Sequence, residues 1–276
     1  MKLIYSLAKR TIEPHSDIVY KTFYVSMKNA KDLGYPIELW GTTDAIEHLG
    51  SLADSIVNVD RFDFELYDDI KMKIWEGIKP YEITIDGDVF LCDSNLKMGG
   101  LWLNVDNQFK ILSNEGKLIL DTFNKFNPQQ IIPEWDSTNT IGLSTGLVNW
   151  GMNEQFKKHY IESYWKLRAW YFENQFEMVT KNAKIHNMYP AISHIICENL
   201  LYQLVKYYGI EYSELNNNPN FKYIHKAGEE KYKNNAFVAG ISTMFAELKF
   251  RNDTVQNLYT HMITGGMRPF IFFDNN

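Results

Sequence analysis

The sequence predicts an α/β fold built on a largely parallel sheet, and three observations lead there. Strand-like and helix-periodic runs alternate from Lys2 to Ile85, and a β-α-β order implies parallel strands with crossover helices. The 276 residues, 45% hydrophobic and 22% charged, have the make-up of a globular domain large enough to bury a full core. Two carboxylates, Asp86 and Asp88, close the fourth strand-like run, at the strand end where open α/β sheets bind ligands.

The elements follow in order. KLIYSL (Lys2 to Leu7) reads as the first strand. The next segment carries Ile18, Phe23, Val25 and Met27 at helical spacing, with Gly34 as its stop signal. Pro36 to Trp40 is the second strand, Thr43 to Leu49 a short helix, and Ser55 to Val59 the third strand. The run YDDIKMKIWEGI is a helix with acids in its first turn and Gly77 near its end, and YEITID follows it. LWLNV, GKLIL and TIGLSTGLVNW read as further strands.

Two long helices come next. In the first, Phe156, Tyr160, Tyr164, Leu167 and Tyr171 step at i+3/i+4 and predict a core-facing stripe. The second is AISHIICENLLYQLVKYY. A turn-rich loop, SELNNNPN, leads to a short strand, FKYIH, and the chain closes with a helical region and MRPFIFF. With no repeat and no low-complexity linker, one domain over 1–276 is expected, with a nucleotide-binding half at 1–120 and a more helical half at 121–276.

The formal net charge of −6 argues against a broad basic face for gripping a polyanion. Cys92 and Cys197 are too few for a disulfide framework, which points to a reducing compartment. MKLIYSLAKR is too short for a signal-peptide core, and no apolar run reaches membrane-spanning length. A soluble, cytoplasmic protein with no membrane span is the expectation.

Two carboxylates one residue apart at a strand end can both face one hard cation, and Gly87 between them permits a sharp turn. Mg²⁺ and Mn²⁺ take oxygen ligands from one or two carboxylates, phosphate and water. Asp-Gly is also a hairpin signal, so the pattern alone leaves turn and metal site about even; the place after a parallel strand favours metal. A calcium loop would need more oxygen ligands nearby than Asp93 and Asn95. The second constellation, YIHKAGEEKY, offers a possible nitrogen ligand in His225, close backbone approach at Gly228 and a positive charge at Lys231. HMITGGMRPF competes with it through His261, Gly265, Gly266 and Arg268.

Asp86-Gly87-Asp88 between ITI and VFL resembles the DXD motif of GT-A fold glycosyltransferases. His225-Lys226-Ala227-Gly228-Glu229-Glu230-Lys231 resembles the His-x-x-Gly-x-x-Lys motif of the glycogenin-like and galactosyltransferase-like retaining members, although Tyr232 and Lys233 stand where Pro and Trp usually follow. The resemblance implies a Rossmann-like, mixed central sheet flanked by helices, with Asp86, Asp88 and His225 holding Mn²⁺ (or Mg²⁺). It implies Gly87, Gly228 and Lys231 at the donor diphosphate, Lys71 reaching the donor from the preceding helix, and Tyr5 and Ser6 of the first strand under the nucleotide base. LSTGLVNWG, with Ser144 in place of an asparagine, is loosely similar to the family's Asn-x-Gly segment, and ICENLL to its acidic-Gln segment.

The expected function is therefore metal-dependent transfer of a sugar from a nucleotide-sugar donor, UDP-sugar first among them, with retention. The acceptor stays open among glycan, protein and modified DNA base. A viral-type DNA glycosyltransferase acting on hydroxymethylated bases is the alternative acceptor class, and a carbohydrate-binding or interaction protein the non-enzymatic alternative. A nucleotidyltransferase would carry a glycine-rich phosphate loop after its first strand, and SLAKRTIEPHS has no glycine.

Overall fold

The computed structural model describes residues 1–8, 17–66, 68–87, 89–91, 100–106, 114–181, 189–214 and 223–225. The chain forms two compact units, each assembled from separated segments. The first comprises Met1–Glu65, Tyr81–Lys97 and Asn217–Asn276, the second Leu66–Pro80 and Met98–Asn216.

In the first unit the alternation expected from the sequence is present. β1 (Lys2–Leu7), α1 (Asp17–Asp32), β2 (Ile37–Gly41), α2 (Thr43–Leu49), β3 (Ser55–Asn58) and β4 (Glu82–Ile85) follow in order. The strands lie β3-β2-β1-β4, and every pairing is parallel, with Leu3 opposite Ile37 and Ile83, and Leu39 opposite Ile56. Leu3, Tyr5, Ile37, Leu39 and Ile83 are fully buried, as central parallel strands require. Lys2 ties three strands at their start, reaching Glu38 at 2.8 Å and Glu82 at 2.9 Å. β5 (Val89–Leu91) and β9 (Tyr223–His225) form a separate antiparallel pair.

The second unit holds α3 (Asp69–Gly77), β6 (Leu101–Asp106), α4 (Asn114–Lys125), β7 (Gly142–Asn149) and α5 (Glu154–Lys181). α6 (Tyr189–His194), a π-helical turn (Ile195–Asn199), α7 (Leu200–Tyr208) and β8 (Tyr212–Glu214) complete it. β6 pairs antiparallel with β7 and parallel with β8, so this sheet is mixed. All eight residues of β7 are buried. The stripe expected on α5 is there: Phe156, Tyr160, Tyr164, Leu167 and Tyr171 all face the interior. Trp75, Trp150 and Tyr160 pack edge-on or tilted at 5.1–6.0 Å between ring centres. At the end of β7 the backbones of Gly151 (φ +55°) and Gly100 touch, and a Cβ on Gly151 would lie 2.6 Å from the Gly100 carbonyl.

One expected strand is a helix. GKLIL belongs to α4, where Ile119, Leu120 and Phe123 are buried at i+3/i+4 spacing while Leu118 is exposed. A short apolar run fits a strand or a buried helix equally, and the continuation through Asp121 to Lys125 decides for helix. The start of the loop SELNNNPN contributes Ser213 and Glu214 to β8. Among the described residues no helix is long and apolar enough to cross a membrane.

Candidate functional site

β4 is buried at all four positions and delivers the chain to Asp86. Because β4 runs parallel to β1 with Tyr5 opposite Ile85, Ser6 and Asp86 come next at the same sheet edge. Asp86 is half-buried, and its carbonyl accepts the Val89 N–H at 3.1 Å, which closes a tight turn. Gly87, at the centre of that turn, lies against α1. A Cβ there would sit 2.1 Å from Cδ2 of Phe23, so the ring of Phe23 already occupies the space a side chain would need.

The turn leads directly into β5. Val89 lies opposite His225, Phe90 opposite Ile224 and Leu91 opposite Tyr223. The outer edge of β5 is satisfied by α1: Ser26 Oγ donates to the Val89 carbonyl at 2.5 Å, and Asn29 Nδ2 donates to the Leu91 carbonyl at 2.6 Å. Both side chains are 1% exposed. In an antiparallel pair, a residue's N–H and C=O point to the same edge and alternate from one residue to the next. Val89 spends both groups away from β9, on Asp86 and Ser26. The ladder bonds therefore run through Phe90 and Ile224, and Val89–His225 is a non-hydrogen-bonded pair, the kind with the closer Cα atoms.

The backbone of His225, the first residue of the second motif, is thus brought beside the strand that leaves the Asp86 turn, opposite Val89. Asp88, Gly228, Lys231 and the competing His261 lie outside the described residues, as does Cys92, and of His225 the backbone alone is described. Among the described residues no three His, Cys, Asp or Glu side chains form a metal cluster. Two carboxylates and an imidazole, the donor set the sequence offers at this strand end, would have the mixed oxygen and nitrogen character that suits Mn²⁺.

Tyr5 takes a different place from the one expected. It is fully buried, its ring stands edge-on to Phe23, and its hydroxyl shares a 3.0 Å bond with Ser26. Burial pushes its phenol pKa up, against the pull of the Ser26 bond. Its ring belongs to the core and offers no face for a base to stack on. Ser6 is half-buried at the sheet edge.

Lys71 belongs to the second unit, at the heart of a buried polar cluster. Its ammonium donates to the Thr145 carbonyl at 3.2 Å and hydroxyl at 3.1 Å, and lies 3.4 Å from Asp68 Oδ1. Glu198, on the π-helical turn, accepts the Thr145 N–H at 3.1 Å and pairs with His194 Nδ1 at 2.8 Å. Burial pulls the Glu198 carboxyl upward, but the charge and hydrogen bond of His194, the Thr145 amide and Lys71 together hold it below its ordinary range. Asp68 goes the other way: burial raises it, more than the Lys71 charge and the Ser193 hydroxyl (2.7 Å) lower it. The segments singled out as LSTGLVNWG and ICENLL therefore meet each other and Lys71.

Several residues here were not flagged by the sequence. Ser26 and Asn29 place polar atoms among the buried Val25, Met27 and Ala30 of α1, which was the available signal. Asp69 and its partner Arg168 gave none, being 99 residues apart.

No protein-family profile matches the chain, and no curated protein does. Among solved structures the chain is similar to galactosyltransferase LgtC in complex with donor and acceptor sugar analogs. That similarity carries 13% sequence identity and a TM-score of 0.41, over 91% of this chain and 97% of that one.

Proposed function

We propose that this chain is a metal-dependent glycosyltransferase of GT-A type, moving a sugar from a nucleotide-diphosphate sugar, with UDP-sugar the first donor to test. The observation that carries this reading is the β5–β9 pairing, which sets His225 opposite Val89 at the carboxyl edge of the parallel sheet, beside Asp86-Gly87-Asp88. A hairpin signal alone would not bring His225 from the far end of the chain to the strand that leaves this turn.

In this reading Asp86, Asp88 and His225 hold the cation, and Lys231 adds a fixed positive charge for the donor diphosphate. The cation, when bound, supplies Lewis-acid stabilisation of the negative charge that grows on the leaving diphosphate. Gly87 keeps the turn free of a side chain, and Gly228 lets backbone approach phosphate closely. Ser6, at the same sheet edge as Asp86, would lie beside the nucleoside in this reading. Retention of configuration follows from the likeness of His225 to Lys231 to the retaining members.

Calorimetric titration with UDP, GDP, CDP and ADP, each with and without Mn²⁺, tests the reading. Metal-dependent binding of one diphosphate is expected, lost in Asp88→Asn, with transfer reduced by about 10²-fold or more. Absence of binding for all four would return Asp86 and Asp88 to the status of an ordinary turn and leave an interaction protein as the better reading.

A further inference from the structure

We propose that Ser26 and Asn29 of α1 are positioning residues that set the metal-binding geometry by clamping β5; this rests on the reading above. β5 and β9 are each three residues long, and a two-stranded ribbon of that length does not hold its own position in water. Its outer edge would also present bare carbonyls, which a buried strand cannot leave unpaired. The two α1 side chains stand in for the missing neighbouring strand.

The spacing explains the choice of residues. Ser26 and Asn29 are three apart and share one face of α1, advancing about 4.5 Å along the helix axis. The carbonyls of Val89 and Leu91 are two residues apart, about 6.8 Å along a strand. Asn reaches one bond further than Ser, and that extra reach closes the difference. Tyr5 shares its hydroxyl with Ser26 from the core side, so the serine is held from β1 while it grips β5.

What the clamp controls is the turn. Val89 is bonded through its N–H to Asp86 and through its C=O to Ser26, both on the edge away from β9, and it stands opposite His225. A shift of β5 along its axis would move the Asp86 turn and the His225 register together. Metal sites tolerate displacements of only about 0.5 Å in their ligands. Ser26 and Asn29 touch neither metal nor nucleotide in this scheme; they act through the Val89 and Leu91 carbonyls.

The test is Mn²⁺ affinity read by EPR, with UDP, GDP, CDP and ADP present in turn, on wild type, Ser26→Ala, Asn29→Leu, Ser26→Thr and Tyr5→Phe, alongside their melting temperatures. The clamp predicts about tenfold weaker Mn²⁺ binding in folded Ser26→Ala and Asn29→Leu, recovery in Ser26→Thr, and an affinity between these and wild type in Tyr5→Phe, which removes only the bond that holds the serine. Mn²⁺ affinity within twofold of wild type in both clamp variants overturns the inference and leaves the metal site standing. Failure of both variants to fold also overturns it, because the pair would then be a folding determinant only. Wild type that binds no Mn²⁺ with any of the diphosphates removes the metal site and the clamp together.

Discussion

Arg168 meets Asp69 in a two-pronged ion pair, Nε to Oδ1 at 2.8 Å and Nη2 to Oδ2 at 2.9 Å. The Asp69 residue is fully buried and also accepts the Tyr164 hydroxyl at 2.8 Å and the Leu66 amide at 3.0 Å. One carboxylate thereby pins the start of α3 to the middle of α5. Arg168→Ala leaves a buried charge without its main partner and should destabilise the protein by about 3–5 kcal/mol in urea unfolding. Arg168→Lys keeps the charge but cannot make the paired geometry, so it should fall between the two.

Glu198 gives a pH signature. Its carboxyl is held below the ordinary range in the folded chain, so it contributes stability above its unfolded pKa, and that contribution disappears as the pH falls through the folded value. Glu198→Gln should therefore cost about 1–3 kcal/mol at pH 7. The gap to wild type should close progressively below about pH 4.3, the ordinary glutamate value. Urea melts across that range measure it.

Asp68 has the reverse sign, since burial raises its carboxyl in the folded state. Relative to Asp68→Asn, wild type should lose stability as the pH rises above about 3.9, the unfolded value. The same melts on that variant distinguish the two carboxylates.

At the turn, Gly87→Ala would drive a methyl into the Phe23 ring. A loss of about 1–3 kcal/mol is expected, as for other overpacked sites. Phe23→Ala in the same chain should recover much of it, and a double-mutant cycle on melting temperatures reads the coupling.

Cys197 is fully buried, and burial above all, with the Asp68 charge, pushes its thiol pKa well up. Iodoacetamide should alkylate it only on unfolding, as peptide mapping by mass spectrometry in native buffer and in denaturant would show.

How much of this was legible beforehand differs by element. The strand–helix alternation from Lys2 to Ile85 was readable because buried parallel strands and amphipathic helices carry distinct periods. GKLIL was misread as a strand because three consecutive apolar residues, Leu118 to Leu120, satisfy either period. Of the β5–β9 pair, β9 was legible as the strand FKYIH but the pairing itself was not, since three residues are too few to show alternation and the partners lie far apart in the chain. The π-helical turn was equally silent, although it places Glu198 against Thr145. Of the site, Asp86 at its strand end and the nearness of the His225 strand were anticipated by motif. Tyr5 was misplaced, since an aromatic on a central strand is core unless its neighbours are small.

The interleaved make-up of the two units has a consequence on the ribosome. Synthesis yields β1 to β3 first, then α3 of the other unit, then β4 and β5, and β9 only after residue 216 has emerged. The edge of β5 that β9 covers stays open through the whole production of the second unit, a long wait for a strand of three residues. Distant pairings of this kind slow folding and leave strand edges available to wrong partners. This prolonged exposure of one edge is a step at which a nascent chain would benefit from a chaperone.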